Sequence, residues 1–267
     1  MQHLQHPLTP VNGIPAEDVF LVMDDLGSQV GMGYVVCQFQ QHLDPDCPIN
    51  IYASLESATS ARYLLSGALV ARARQMRDMN PNARARVYTA VRVDDEAQQA
   101  FYRENGWNLE HTEVRLKLNP AAAENRFPMG SVIREIPLNT QEEQMGLLSR
   151  MAANDVTHLD MGFLFQVMRT PHFRALGITR GNQILAEAVV AGNNKNCELL
   201  AVYVSPESRM QGIGKALVAH LMTVMASEGA TEFTVRMMTR SAPQMALSRA
   251  FSPETLDTLT VFPELSL

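Results

Sequence analysis

Leu200-Ala201-Val202-Tyr203-Val204-Ser205-Pro206-Glu207-Ser208-Arg209-Met210-Gln211-Gly212-Ile213-Gly214-Lys215-Ala216-Leu217 decides how this chain is read. Residues 200–204 are a strand-like apolar run. Residues 205–211 form a polar loop, and a helical pattern starts through Gly212 and Gly214. The first turn of a helix carries unpaired N–H groups and a partial positive charge. Glycines there let backbone approach an anion with no Cβ in the way. Arg209 and Lys215 add charge beside it, so the stretch is a pyrophosphate cradle in outline. Two familiar phosphate loops fail on residues. A Walker loop needs a glycine where Arg209 stands and Ser or Thr where Ala216 stands. A dinucleotide fingerprint needs its third glycine where Leu217 stands.

Working outward, the second half opens with a strand at 131–136 and a helix at 140–153, whose Thr140 and Glu143 have capping-box spacing. Residues 160–169 read as a further helix, and 173–179, 184–191 and 198–204 as three strands. The helix of the phosphate loop spans 213–227 and stops at Gly229. Then come a strand at 231–238, a helix at 243–251 and a strand at 258–262. In the first half the strands are 19–23, 31–39 and 50–55, followed by a long helix at 59–79. A strand at 86–91, a helix at 94–105 ended by Gly106, and a strand at 108–118 complete it. The Ala-, Asn-, Pro- and Gly-rich stretch 119–130 reads as a linker. Both halves therefore run strands, long helix, strand, short helix, strand. Both long helices also contain Ala-Leu-Val-Ala, at 68–71 and 216–219, and the shared order points to an internal repeat.

Composition narrows the function. With 267 residues, 46% hydrophobic and 19% charged, the chain is long enough for one large domain or two small ones and can bury a core. The net charge is −6, with 15 acids against 11 bases in 1–128 and 13 against 11 in 129–267. Neither half has the basic excess of a nucleic-acid binder. No apolar run approaches a membrane span, and residues 1–10 are too polar for a secretory leader. Cys37, Cys47 and Cys197 form no metal-spaced set, and an odd count fits a reducing compartment. The expectation is a cytoplasmic protein with no metal, no membrane and no nucleic-acid partner. Among the 16 methionines, Met145, Met151, Met222 and Met225 read as flexible core filling.

The quoted string resembles the signature of the GNAT superfamily of acyl-CoA-dependent N-acyltransferases. That signature is a strand, a Val-x-Pro turn and Gln/Arg-x-x-Gly-x-Gly/Ala at a helix start. Arg209, Gly212 and Gly214 fill its three defined places, and Val204 and Pro206 match its approach. The order of elements across the second half fits the same family. The first half resembles it in part. Residues 95–107, with Ala100, Tyr102, Gly106 and Trp107, look like the family's later helix and turn. Residues 54–63, where its phosphate loop belongs, have no glycine, and Glu56 would repel phosphate. The family's opening strand and helices are not evident before Val19.

The resemblance implies an α/β protein of two tandem GNAT-like domains, each a mixed, mostly antiparallel sheet flanked by helices. Residues 1–120 form the degenerate copy, which has lost cofactor binding, and 130–267 the acyl-CoA-binding one. It implies that acetyl-CoA is the co-substrate. Its contacts fall on Val202, Tyr203 and Val204 and on Arg209, Met210, Gln211, Gly212, Ile213, Gly214 and Lys215. The acceptor is a small-molecule or peptide amine, and the assembly a homodimer or an intramolecular pseudo-dimer. The alternative is a non-catalytic CoA-binding or scaffolding protein.

The implied reaction needs a base to free the amine, a donor for the oxyanion and a proton for the leaving thiolate. The base candidates are Glu198 and Glu187. The family's usual acid is a tyrosine on the helix after the phosphate-binding one, and Phe251 stands in that place. Ser248 and Tyr203 are the substitutes, while Tyr102 keeps the tyrosine in the other half. His158, with Asp155 and Asp160, reads as a surface loop histidine.

Overall fold

The computed structural model describes residues 1–41, 44–120, 127–153 and 159–267. Grouped by contact, these form two compact units, Met1–Thr112 with Leu259–Leu267, and Glu113–Thr258. The first unit contains β1 (His3–Gln5), β2 (Val19–Met23), β3 (Gln29–Phe39), β4 (Ile49–Ser57), α1 (Arg62–Asp78), β5 (Ala85–Tyr88), β6 (Val91–Arg92) and α2 (Glu96–Glu104). The chain passes from it into the second unit along β7 (Thr112–Leu118). There follow β8 (Val132–Glu135), α3 (Gln141–Ala152), α4 (Met161–Val167), β9 (Arg174–Arg180), β10 (Gln183–Asn193), β11 (Asn196–Val204), α5 (Ile213–Ser227), β12 (Glu232–Met238) and α6 (Ala242–Arg249). The chain returns to the first unit along β13 (Glu254–Val261) and ends with β14 (Glu264–Ser266).

The first unit's sheet has the order β1-β2-β3-β4-β5-β14. Only β4 and β5 run parallel, because α1 crosses over between them. Leu65, Leu69, Ala73 and Met76 recur at helical spacing along α1 and are buried with Val22, Val35, Ile51, Ala53 and Val87. Burying each large aliphatic side chain there contributes ~1.5–3 kcal/mol. Gly33 lets helix and sheet close, since a Cβ there would lie 2.6 Å from the Ser54 carbonyl oxygen and 2.9 Å from Leu69 Cδ1.

The second unit's strands follow the order β13-β7-β12-β11-β10-β9-β8, with β11 and β12 parallel across α5. Side chains of β10 alternate between two cores. Ala186, Ala188 and Val190 pack with Leu217, Leu221 and Met225 of α5. Val189 and Ala191 pack with Leu147 and Met151 of α3 and Leu164 and Val167 of α4. Each long helix is thus followed by a parallel strand whose outer edge takes an antiparallel partner. For β12 that partner is β7, and for β5 it is β14. Val114, Leu116 and Leu118 of β7 alternate into the core beneath α5, while Leu265 and Leu267 pack against the core beneath α1.

Two tandem α/β units of mostly antiparallel strands are therefore present. The helix expected at 213–227 is Ile213–Ser227, and the Thr140–Glu143 capping box is formed. Other elements differ locally. The run read as one strand at 86–91 is two, β5 and β6. The helix read from 59 opens as a 3-10 turn at Thr59–Ala61. The strand read from 108 starts at Thr112, although Asn108 makes a single bridge to Glu264. The strands β1 and β14, three residues each, were not expected. Half of the stretch read as a linker, 121–126, lies outside the described residues.

Candidate active site

The site begins where β11 leaves β12. The parallel pairing ends at Leu199↔Val235, while β11 stays paired with β10 as far as Ala186↔Val204. Between Leu199 and Ala201 the register to β10 slips by one residue, a bulge that bends the strand. Among the described residues, none pairs as a strand with 200–204 on their β12 side. Val202 and Val204 pack toward α5, and Tyr203 packs toward α3 and α4.

Beyond Val204 the chain turns through a short 3-10 segment, Pro206–Ser208, pinned by the buried Ser205 Oγ–Ser208 Oγ bond of 2.8 Å. Gln211 Nε2 donates to the Glu207 carbonyl at 2.9 Å and Arg209 Nε to that of Val204 at 3.3 Å. Met210 and Gly212 both take left-handed backbone, with φ of 60° and 76°. At Met210 this costs about 1–2 kcal/mol. Its side chain is fully exposed. Gly212 is the N-cap of α5, and no side chain caps that helix. Among the first backbone hydrogen bonds of α5 is Ala216 N–H to the Gly212 carbonyl. The amides of Ile213, Gly214 and Lys215, one turn earlier, lie at the positive end of the helix dipole. A Cβ on Gly214 would sit 3.0 Å from Val204 Cγ2. Glycine thus brings the helix start against the end of the strand. The loop brings together Arg209, Met210, Gln211, Gly212, Ile213, Gly214 and Lys215 beside Val202, Tyr203 and Val204. This open, uncapped, glycine-spaced turn fits a pyrophosphate group.

The two base candidates have different surroundings. Glu198 is part-exposed, and Arg236 Nε donates to its Oε1 at 2.8 Å. Glu187 is buried, and both its oxygens are taken by Arg150, from Nε at 2.6 Å and from NH2 at 2.8 Å. Sequence reasoning missed both arginines. Arg150 lies in the last turn of α3 and Arg236 on β12, and only the packing of helix on sheet and the strand register bring them to their carboxylates.

The positions considered for the acid also resolve. Phe251 has no exposure and belongs to the core beneath α5, and its carbonyl accepts the Asn119 N–H. Ser248 is buried and donates to the Met245 carbonyl of its own helix at 3.0 Å. Tyr102 of the first unit is buried, hydrogen-bonded to Thr89 and Gln98, and burial pushes its phenol up. Tyr203 is the remaining hydroxyl and is part-exposed. Asp160 caps α4 by accepting the Phe163 N–H at 2.8 Å. Asp155 and His158 lie outside the described residues. Among the described residues, no three His, Cys, Asp or Glu side chains gather as a metal site, and no helix is long and apolar enough to cross a membrane.

Residues 145–247 match the Acetyltransferase (GNAT) family. That matched segment lies within the second unit. The whole chain is similar in fold to a probable N-acyltransferase from Enterococcus faecalis V583, at 9% identity and a TM-score of 0.53, covering 92% of this chain and 61% of that one. It is also similar to a GCN5-related N-acetyltransferase from Sphaerobacter thermophilus, at 15% identity and a TM-score of 0.49, covering 96% and 82%. A third similar structure is a tandem GNAT protein from the clavulanic acid biosynthesis pathway, at 14% identity and a TM-score of 0.44, covering 99% and 83%. No curated protein matches the chain. The matched segment contains the bulged β11, the loop and α5.

Proposed function

We propose that the second unit transfers the acetyl group of acetyl-CoA to an amine. The observation that carries this reading is the uncapped start of α5, where two left-handed residues and Gly214 leave three backbone amides at the positive end of the helix dipole. Arg209 and Lys215 would add charge for the pyrophosphate, and the edge of β11 at Val202 and Val204 would hold the pantetheine arm.

For the chemistry, Glu198 is the better base. Only its Oε1 is held by Arg236, and it is reached by solvent. Glu187 is occupied by the bidentate Arg150 pair, and withdrawing it would leave a charge unpaired in the interior. We assign Glu187 to holding α3 on the sheet and Glu198 to taking the amine proton. Tyr203 is the candidate donor to the leaving thiolate.

A second reading, a CoA-binding protein that transfers nothing, is favoured by one observation. Phe251, in the place of the usual acid, is sealed in the core. Release of free thiol from acetyl-CoA over a panel of amines separates the two. Amine-dependent release is expected, and silence across the panel with acetyl-CoA bound would leave the second reading.

A further inference from the structure

On the face of the second unit's sheet opposite α5, four neighbouring strands each present one charged side chain along a single line. They are Glu198 on β11, Arg236 on β12, Arg115 on β7 and Asp257 on β13. Arg236 Nε meets Glu198 Oε1 at 2.8 Å. Arg115 meets Asp257 through Nε at 3.1 Å and NH2 at 2.7 Å. Arg236 and Arg115 are direct cross-strand partners. The line therefore reads minus, plus, plus, minus. Like charges directly opposite one another destabilise an antiparallel pair. Here both carboxylates stand on the outer sides, and neither lies between the arginines. Lys117 is exposed two residues along β7, opposite Thr234. The arginine side chains are 51% and 45% exposed, so a solute reaches them. A guanidinium has five N–H donors, and each of these keeps donors beyond those its carboxylate takes.

We propose that this line selects an acceptor of the amino-acid class, with a carboxylate close to its reacting amine. The inference rests on the acyl-transfer reading above and names its substrate class. Glu198 lies one residue before the end of the β11–β12 pairing. An amine held at Glu198 is therefore beside the opening proposed for the thioester. The adjacent Arg236 and Arg115 then face whatever is attached to the amine within a few bonds. A carboxylate there bridges the two guanidinium groups and relieves their mutual repulsion. A plain amine leaves the repulsion in place. Arg115, which would touch that carboxylate, is a specificity residue supplied by β7, a strand contributed from the first half of the sequence.

The test uses the full chain and matched pairs of acceptors, tyrosine with tyramine, phenylalanine with phenethylamine, and phosphoethanolamine with ethanolamine. The readout is the ratio of kcat/KM within each pair at saturating acetyl-CoA. For the amino-acid pairs the ratio is expected to exceed about tenfold, and to fall by roughly that factor in Arg115→Gln. Asp257→Asn breaks the same ion pair but leaves the cation, so its ratio should hold or rise. A device that only fixes strand register predicts the same change in both variants, and that result overturns the proposal. So does a wild type indifferent to the carboxylate, or one that prefers only the phosphate-bearing amine. Absence of transfer to every amine would instead refute the acyl-transfer reading. Calorimetric binding of the same pairs in the presence of CoA then still measures the preference.

Discussion

The long helix starts differently in the two units, although the same parallel strand pair flanks it. In the second unit, β11 leads through a loop with two left-handed residues, and α5 begins with no side-chain cap. In the first unit, β4 ends at Ser57 and the chain goes directly into a 3-10 turn, Thr59–Ala61, that feeds α1. Ala61 N–H donates to the Ala58 carbonyl and Arg62 N–H to that of Thr59. Donors that an anion would need are therefore spent inside the chain. The Arg62 guanidinium lies over the Phe101 ring, 5.4 Å from its centroid. The carboxylate differs too. Ile51↔Val87 in the first unit matches Leu199↔Val235 in the second, as apolar partners across the parallel strands, each packed beneath its unit's long helix. The residue before Ile51 is Asn50, an amide that accepts from Arg86 and donates to the Cys47 carbonyl. The residue before Leu199 is Glu198. A shared architecture thus supplies the scaffold, and a few backbone angles and one side chain set the proposed site apart from its counterpart in the first unit.

The largest effect that would sharpen this contrast is at the base. Glu198→Gln makes the second unit like the first at that position. It should lower kcat by about 10²–10⁴ with acetyl-CoA affinity little changed, read by thiol release and calorimetry. An unchanged kcat would move the base elsewhere. Next comes the buried pair. Arg150→Met strands the Glu187 charge and should cost ~3–5 kcal/mol in denaturant unfolding. A loss under 1 kcal/mol would show that Glu187 is not held as described. Gly214→Val pushes side-chain atoms against Val204, and acetyl-CoA affinity should fall on the order of 100-fold, since displacing the helix start by even a few tenths of an ångström misplaces its charge-assisted donors. Arg209→Ala removes one charged donor, for a loss of roughly tenfold. The smallest effect is in the first unit, where Glu56→Gln should leave acetyl-CoA affinity within about twofold. A large change there would show that the first unit takes part in binding.

Much of this was readable in the sequence. Gly212 and Gly229 bracket α5, and glycine spacing with Arg209 marked the loop proposed here as the anion site. Residues 54–63 have no glycine, and there the chain enters α1 through the 3-10 turn Thr59–Ala61. Other features depend on long-range pairing, which local pattern does not encode. β7 reads as a good alternating strand, but nothing in it states that β12 is its partner. β14 is too short to have a period. Glu187 and Glu198 looked alike as strand carboxylates, and only Arg150 and Arg236 distinguish them. Phe251 stands in the place of the family's tyrosine, and its burial gives it a packing role.

The most direct test is a calorimetric titration of the whole chain with acetyl-CoA, repeated on Gly212→Glu, which places a carboxylate at the N-cap of α5. We predict one acetyl-CoA per chain and loss of that binding in the variant. Two per chain, or binding that survives the substitution, would contradict the assignment of the cofactor to the second unit's loop alone.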